Sequence, residues 1–345
     1  MNFDPGSAQS SARSTVLVTG GAGFVGRAVV RGFVAAGLRV TVADLDPART
    51  DDPRVTSVVG DLLDPAVRDA VITDDVAGVV HLAALTSVLR SKQRPSATHE
   101  MNVTVTAELL ELCRQRGVPR FMLASTNAVT GDVGTDVITE RVPLRPLTPY
   151  GASKAAGEML LAGYAGGYDM ACASLRFTNI YGPGMLAKDS FIPRLMRAAL
   201  SGAAVQIYGD GKQRRDLVHI NDIVAGITQA WQHDFVGTAI LGSGESISVL
   251  EMVDAVREVT GVMVPVEHVP APTGEMPAVI VDIGKARAAF GYRPTMSLHD
   301  GMATVWDDFR ANVDNPDNVD NPDNTANADT AGSVNQVRHQ HSGKR

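Results

Sequence analysis

The chain has few cysteines, few aromatic residues and no excess of positive charge. Of its 345 residues only 2 are cysteine and 5% are Phe, Trp or Tyr, and the formal net charge is −7. So few cysteines exclude a disulfide-stapled scaffold, and no Cys/His spacing suits zinc. The negative net charge argues against a nucleic-acid partner or an anionic membrane surface. Any phosphate site therefore has to be formed by loop amides and a few arginines.

Long apolar runs are also missing. No stretch is long and apolar enough to cross a bilayer, and residues 1–13 lack the apolar core of a signal peptide. Cys113 and Cys172 lie in apolar patterns that favour buried thiols in a reducing compartment. We therefore expect a cytoplasmic protein with no membrane partner.

What the chain does contain is a glycine-rich segment after its first apolar run. Residues 19–26 read TGGAGFVG, directly after TVLV at 15–18. Glycine permits the positive φ of a sharp strand-to-helix turn and leaves room for a ligand where a Cβ would stand. The amides at the start of the following helix suit a phosphate. The segment predicts a dinucleotide pyrophosphate site, although glycines alone also fit an ordinary turn.

An acidic residue supports the dinucleotide interpretation. The next strand-like run, 38–43, ends at Asp44, roughly 20 residues beyond the glycines. A carboxylate there can accept hydrogen bonds from an adenosine ribose and would repel a 2′-phosphate. The pattern therefore favours NAD over NADP.

Tyr150 and Lys154 form a second motif. Half-ionisation of a tyrosine at pH 7 requires its pKa to fall by about 3, or roughly 4 kcal/mol. A nearby ammonium and a positive nicotinamide ring can supply this, and residues four apart share one face of a helix. The spacing also fits a surface helix pair when taken alone. Its position after five βα-like units favours a general base.

The wider pattern alternates strand and helix, which predicts an α/β protein with a doubly wound parallel sheet of the Rossmann type. Strands are expected near 15–19, 38–43, 55–59, 78–82, 120–124 and 172–177, with helices at 103–116 and 150–165. We expect the dinucleotide domain at 14–180, with a later strand near 238–241 returning to it, and a smaller mixed α/β substrate-binding lobe at 181–310. Residues 1–13 and the Asn/Asp-rich 311–345 read as disordered.

From about Thr15 to Trp306 the chain resembles the extended short-chain dehydrogenase/reductases, and within them the NAD-dependent nucleotide-sugar epimerases and dehydratases, close to the UDP-glucose 4-epimerases. Besides the two motifs, the likeness rests on GDL at 60–62, HLAA at 81–84, NV at 102–103, AST at 124–126, LRFTNIYGPG at 175–184 and IYGDGKQRRD at 207–216.

The resemblance implies roles for individual residues and a homodimer formed by the helices near 103–116 and 150–165. The catalytic residues would be Thr126, Tyr150 and Lys154. NAD would contact Gly20, Gly23, Phe24, Val25, Gly26, Asp44, Asp61, Leu62, Leu82, Ala83, Ala84, Asn102, Tyr150 and Lys154. The nucleotide-diphosphate sugar would contact Thr86, Ser125, Thr126, Asn127, Asn179, Phe191, Tyr208 and Arg215.

Departures from the family pattern narrow the reaction. Dehydratases usually place Asp-Glu after the catalytic Thr, and the related decarboxylases also have a Glu there, whereas this chain has Asn127 and Ala128. A 4,6-dehydratase or a decarboxylase is therefore disfavoured. Pro272 stands where 4-epimerases often have a phosphate-binding arginine, so either Arg214 or another cation substitutes, or the leaving group of the substrate is unusual. Thr130, where relatives often have Tyr, has no assigned meaning.

We therefore expect an NAD-dependent epimerase that oxidises C4 of a nucleotide-activated sugar transiently and returns the hydride to the opposite face. The alternatives are a net dehydrogenase or reductase on a nucleotide-linked sugar or related metabolite, and a non-catalytic NAD-sensing protein. The sugar and nucleotide are left open, because specificity would depend on a few side chains near 86–90, 185–191 and 204–208.

Overall fold

The computed structural model describes residues 13–271 and 276–312. Pro272, the expected N-terminal segment up to residue 12 and the tail from residue 313 lie outside the described residues. Among the described residues, no helix combines the length and the apolar content that spanning a membrane would need.

The chain alternates between strands and helices along most of its length. The strands are β1 (Thr15–Thr19), β2 (Arg39–Asp44), β3 (Val55–Val59), β4 (Val76–His81), β5 (Arg120–Thr126), β6 (Val137–Ile138), β7 (Ala171–Phe177), β8 (Asn179–Tyr181), β9 (Val205–Tyr208), β10 (Arg214–His219), β11 (Gly237–Leu241), β12 (Ser246–Ser248), β13 (Val266–Val269) and β14 (Ile280–Val281). The α-helices are α1 (Phe24–Ala35), α2 (Pro65–Val71), α3 (Val88–Gln93), α4 (Pro95–His99), α5 (Val105–Gln115), α6 (Pro149–Tyr168), α7 (Phe191–Ser201), α8 (Ile220–Gln232), α9 (Val249–Thr260), α10 (Gly284–Phe290) and α11 (Leu298–Asn312). A π-helical turn, Glu100–Thr104, precedes α5, and a 3₁₀ turn, Asn127–Val129, follows β5.

Seven strands form one parallel sheet in the order β11-β7-β5-β4-β1-β2-β3. The order reverses beside β1, since β2 lies on one side of it and β4 on the other. In such sheets ligands bind in the crevice beyond the carboxyl ends of the strands, at the reversal. The predicted doubly wound α/β fold is confirmed.

Side chains that alternate along the strands pack on opposite faces of this sheet. Val16 and Val18 share a core cluster with residues of α1 and α8, whereas Leu17 belongs to a cluster with α5 and α6. Helices therefore cover both faces, as a parallel sheet requires.

The smaller lobe is built around three short sheets. These have the orders β12-β10-β8, β13-β9 and β14-β6. A third core cluster, with Leu195, Met196, Val253 and Val305 at its centre, joins α7, α9 and α11. The small-lobe strand β8 follows the large-lobe strand β7 with one residue between them, so the two lobes are connected at the carboxyl edge of the large sheet.

Candidate active site

The turn after β1 is built from glycines that no other residue could replace without movement. Gly20 has a φ of +69°, and a Cβ added to it would lie 2.7 Å from the backbone nitrogen of Ala83. A Cβ on Gly26 would collide with the carbonyl oxygen of Gly20. The turn therefore lies directly against the start of α1 and the end of β4, which matches the close packing expected of a dinucleotide turn.

Helix α1 begins at Phe24 with Gly23 as its N-cap, and among the described residues no side chain caps it. Its first amide groups thus lack the usual side-chain acceptor and are suited to a phosphate. Asp44, at the end of β2, accepts a hydrogen bond from the Ala22 amide at 2.9 Å. The carboxylate expected to bind the adenosine ribose therefore also fixes the glycine turn.

The ends of β3 and β4 border the same crevice. Leu82 donates its amide to the Thr19 carbonyl oxygen at 3.1 Å, and Ala83 donates to Thr19 Oγ1 at 3.3 Å. Leu82, Ala83 and Ala84 are half-buried, and after β3 Asp61 is exposed while Leu62 is buried. The structure thus places Leu82 and Ala83 next to the glycine turn, while Asp61 and Leu62 follow β3, the edge strand beyond β2.

His81 and Asn102 have structural partners in this region. His81 Nδ1 lies 2.7 Å from Thr19 Oγ1 and its Nε2 lies 3.1 Å from Thr106 Oγ1. Burial, with a smaller contribution from the Lys154 charge, lowers the His81 pKa to about 3, so the ring is neutral. Asn102, in the π-helical turn, donates to the Leu85 carbonyl oxygen and to Ser153 Oγ, both at 3.0 Å. Its amide therefore holds the loop after β4 against α6.

Tyr150 is the second residue of α6, and local sequence fixes this start. Thr148 Oγ1 accepts a hydrogen bond from the Gly151 amide at 3.1 Å, and Pro149 occupies the first helical position. Lys154 follows one turn later. The predicted alignment of the phenol and the amine along one helix depends on this capped start.

The electrostatics of Tyr150 differ from the expectation. Burial raises its pKa to about 12, and a hydrogen bond with Thr126 lowers it only in part. We predicted that Lys154 would lower this pKa, but in the protein alone desolvation of the phenolate outweighs every favourable effect. A base at neutral pH therefore needs a further positive charge, which oxidised NAD carries.

Lys154 is only 3% exposed, and within residues 13–271 and 276–312 its Nζ has no hydrogen-bond or ion-pair partner. Burial lowers its pKa to about 8. A buried ammonium without partners is costly unless a ligand supplies acceptors. The glycine turn, the uncapped α1 and this amine fit NAD, whose ribose hydroxyls and phosphates are such acceptors.

Three consecutive residues end β5 and begin the 3₁₀ turn. Thr126 is half-buried and reaches the Tyr150 phenol. Asn127 is buried, and neither its Oδ1 nor its Nδ2 has a partner among the described residues. Ser125 behaves differently, because its hydroxyl donates to Glu158 Oε1 on α6 at 2.5 Å. Its contact with substrate stays a prediction.

The other predicted substrate residues are spread over the small lobe and one loop. Asn179 on β8 donates to the Asp216 carbonyl oxygen at 3.0 Å, and Arg215 on β10 donates to the Met276 carbonyl oxygen at 3.0 Å. β8 and β10 are adjacent parallel strands, so these two residues lie on one sheet. Phe191 begins α7, while Tyr208, at the end of β9, and Thr86, after β4, are exposed.

Sequence reasoning missed two buried carboxylates near the site. Asp216, fully buried on β10, accepts hydrogen bonds from the amides of Ser243 and Gly244 at 2.9 and 2.8 Å, and burial raises its pKa. Glu158 on α6 pairs with Arg176 on β7 at 2.7 Å. The helical spacing of Tyr150, Lys154 and Glu158 was a signal that could have revealed the second.

Comparison with known proteins agrees with this geometry. The sequence model of the NAD dependent epimerase/dehydratase family matches residues 16–240. A dTDP-glucose 4,6-dehydratase of Streptomyces griseus is 33% identical over 305 residues, which cover 84% of this chain and 92% of the relative. A putative UDP-glucose 4-epimerase of Methanocaldococcus jannaschii is 30% identical over 298 residues, 84% of this chain and 96% of the relative.

Among solved structures, the fold is similar to that of MoeE5 in complex with UDP-glucuronic acid and NAD. The TM-score is 0.79 and the sequence identity 35%, over 86% of this chain and 99% of that chain. The chain thus belongs to the NAD-dependent epimerase/dehydratase family, and its cofactor is NAD.

Proposed function

We propose that this protein is a 4-epimerase of a nucleotide-activated sugar. The observation that carries the proposal is the pairing of the Tyr150 phenol with Thr126 at the end of β5, beside the buried Lys154 amine and with no acid at positions 127 and 128. This set can move one proton to and from a hydroxyl. It holds no second acid–base pair that could eliminate water.

NAD is held by the glycine turn, the α1 N-terminus, Asp44, the residues after β4 and Lys154. When bound, it would supply the acceptor and then the donor of the C4 hydride. Tyr150 takes the proton of the 4-hydroxyl as the ketone forms and returns it after the hydride is restored on the opposite face. The hydride and the proton that leave the sugar both return to it within one turnover, so no cofactor is consumed.

Charge explains how a half-buried phenol performs this step. At pH 7 Lys154, with a pKa of about 8, is mainly protonated, and oxidised NAD adds a second positive charge. Both favour the phenolate, and the Thr126 hydroxyl donates to it. The phenol would thus become a usable base with the oxidised coenzyme in place.

Asn127 distinguishes this chain from dehydratases. Its amide cannot exchange a proton at neutral pH, yet both its donor and its acceptor are buried and unpaired among the described residues. A polar substituent on the sugar can satisfy both atoms, because buried amides are normally hydrogen-bonded. We place the sugar against Asn127 and Thr126, and the nucleotide diphosphate near Asn179 and Arg215 with Phe191, Tyr208 and Thr86 around it.

The experiment that tests the proposal compares reaction classes in one assay. The protein loaded with NAD is incubated with UDP-, dTDP-, GDP- and ADP-sugars, including uronic acids, in D₂O, and products are read by NMR and mass spectrometry. We expect a C4 epimer, no solvent deuterium in the sugar, no carbon dioxide and only trace NADH. Loss of water with deuterium uptake would identify a dehydratase, and one NADH per product a net dehydrogenase.

Replacement of Tyr150 separates an enzyme from a silent NAD-binding protein. Tyr150→Phe keeps the ring and the burial but removes the proton acceptor, so we expect NAD affinity within about threefold of wild type and turnover reduced at least about 10³-fold. Turnover is followed by NMR and affinity by calorimetry. Full turnover in this variant would refute the assignment of the base.

A further inference from the structure

A fully buried polar cluster lies behind Thr126 and Tyr150. Arg176 Nε and Nη2 donate to the two carboxylate oxygens of Glu158 at 2.9 and 2.7 Å, and Ser125 Oγ donates to Glu158 Oε1 at 2.5 Å. Each of the three residues is at most 3% exposed. We call Ser125, Glu158 and Arg176 the buried triad.

The buried triad connects the elements that carry the acid–base groups. Glu158 lies on α6, one helical turn beyond Lys154 and two turns beyond Tyr150. Ser125 directly precedes Thr126 on β5, and its register partner on β7 is Arg176. The triad therefore links the helix of the phenol to the strand of its hydroxyl partner.

Apolar packing holds a later part of α6 against β5, where Leu161 shares a buried cluster with Phe121 and Leu123. Next to the buried triad the contact is made by Gly157, and a Cβ there would lie 2.8 Å from Leu123 Cδ2. A glycine allows the helix to approach the sheet but has no side chain that fixes the position of this part of the helix. Hydrogen bonds have strict distance and angle requirements, so the triad supplies the directional restraint.

Stability alone gives little reason for such a cluster. A buried ion pair commonly contributes no more than apolar residues of similar volume would, because both charges lose their hydration. Arg176 Nη1 also has no partner among the described residues, which adds to the cost. A role in geometry accounts for the cluster better than a role in stability.

We propose that the buried triad is a positioning device that sets the distance between the Tyr150 phenol and the Thr126 hydroxyl. This rests on the proposed function, in which that contact carries the proton. Ser125 then acts through Glu158 and Thr126 and makes no contact with substrate. Loosening the triad should lower the rate of proton transfer and leave substrate binding unchanged.

Ser125→Ala is the central variant, because it cuts the link to β5 and leaves the Glu158–Arg176 pair intact. Ser125→Thr keeps the hydroxyl and should restore the link. Ser174→Ala is the matched control, since Ser174 is also 3% exposed and lies on β7 two residues before Arg176. Glu158→Met combined with Arg176→Met removes both charges together, which avoids leaving one of them buried without its partner.

The first readout is kinetic. We expect Ser125→Ala and the double Met variant to lower kcat about 10- to 100-fold with KM within twofold of wild type, since small misplacements of reacting groups cost this much. Ser125→Thr should recover kcat to within about threefold of wild type, and Ser174→Ala should not change it. A rise in KM with unchanged kcat would overturn the proposal and return Ser125 to the substrate site.

The second readout does not require turnover. With carbon-13 at Cζ of tyrosine, the Tyr150 resonance, identified by its loss in Tyr150→Phe, reports the hydrogen bond and ionisation of the phenol. We expect Ser125→Ala to shift it and to raise its titration midpoint in the NAD complex, while Ser174→Ala leaves both unchanged. A wild-type signal in Ser125→Ala would refute the proposal. If the wild type has no epimerase activity but Ser125→Ala still shifts the Tyr150 resonance, the proposed function is refuted and the positioning role of the buried triad is not.

Discussion

At the scale of single residues, the site combines a phenol and an amine whose pKa values are both shifted so that the uncharged form is favoured. Burial raises the Tyr150 pKa to about 12 and lowers the Lys154 pKa to about 8. Each shift reflects the cost of a charge in a desolvated site. Charge separation in this site is therefore coupled to binding of the oxidised coenzyme, whose positive ring favours the phenolate.

Removing the buried amine should make the ligand-free protein more stable. Because its folded-state pKa lies below its ordinary value of 10.5, the unfolded chain holds the proton more tightly, and the free energy of unfolding rises with pH between about 8 and 10.5. Lys154→Met avoids this cost, so we expect it to raise the free energy of unfolding at pH 7 by about 2–4 kcal/mol. Urea denaturation of both proteins at several pH values measures this difference in the free energy of unfolding.

The difference between wild type and Lys154→Met removes the contributions of Cys113 and Cys172, which titrate alike in both proteins. The increase in the free energy of unfolding caused by Lys154→Met should become steadily smaller above pH 8 and approach zero near pH 10.5. Turnover should be lost at every pH. An equal pH dependence of unfolding in the two proteins would show that Lys154 is not desolvated in solution.

Motif spacing predicts which residues are present in the site but not their electrostatic state. Helical periodicity places Tyr150 and Lys154 together on α6 from sequence alone. The direction of the Tyr150 pKa depends on burial by tertiary contacts, which the spacing does not encode. The same holds for Ser125, whose bond to Glu158 joins residues 33 positions apart.

At the scale of elements, the sequence predicts regular segments better than their ends. The strand expected at 15–19 agrees with β1, while residues 103 and 104 of the helix expected at 103–116 belong to the π-helical turn, and the α-helix itself starts at Val105. That turn orients Asn102 toward Leu85 and Ser153, which are distant in sequence. The helix propensities of neighbouring residues cannot indicate a π-helical turn that hydrogen bonds between distant residues stabilise.

The glycine turn gives a prediction at this scale. A methyl group on Gly26 would collide with the Gly20 carbonyl oxygen, so α1 must move away from the turn. We expect Gly26→Ala to weaken NAD binding at least about 100-fold and to destabilise the fold by about 1–3 kcal/mol. Calorimetry with NAD and thermal unfolding measure the two effects.

Gly166→Ala is the control, because Gly166 lies within α6 and a Cβ there meets nothing within 4 Å. Replacing a helical glycine at an open position should stabilise the fold by about 0.5–1 kcal/mol and leave NAD affinity unchanged. Equal NAD affinity in the Gly26→Ala variant and the control would contradict the role of the glycine turn.

At the scale of the whole molecule, the large sheet was predictable and the small lobe was not. Five-residue strands such as β1 carry a clear apolar pattern, whereas β6 and β14 have two residues each and no detectable period. Strand β11 lies far along the chain yet pairs with β7 at the sheet edge. Its return depends on the folding of β8, α7, β9, β10 and α8, which lie between the two strands in the chain.

The outer surface of α5 and α6 has the features of a helical interface. Tyr164 on α6 donates to Glu111 on α5 at 3.1 Å, which holds the two helices together. Ala152, Met159 and Gly163 follow one another at roughly helical spacing on α6 and are all exposed. Small and apolar residues allow close approach of a second helix, and we expect two copies of the chain to pair here.

Met159→Glu tests this pairing. Met159 is 58% exposed, and a charge at the centre of an apolar contact would have to be desolvated without a partner, so we expect the variant to be monomeric at concentrations where the wild type is a dimer. Met263→Glu is the control, because Met263 is 74% exposed and follows α9 in the small lobe. Sedimentation velocity across a range of concentrations distinguishes the three proteins. A monomeric wild type, or a Met159→Glu variant that sediments like the Met263→Glu control, would refute pairing through α6.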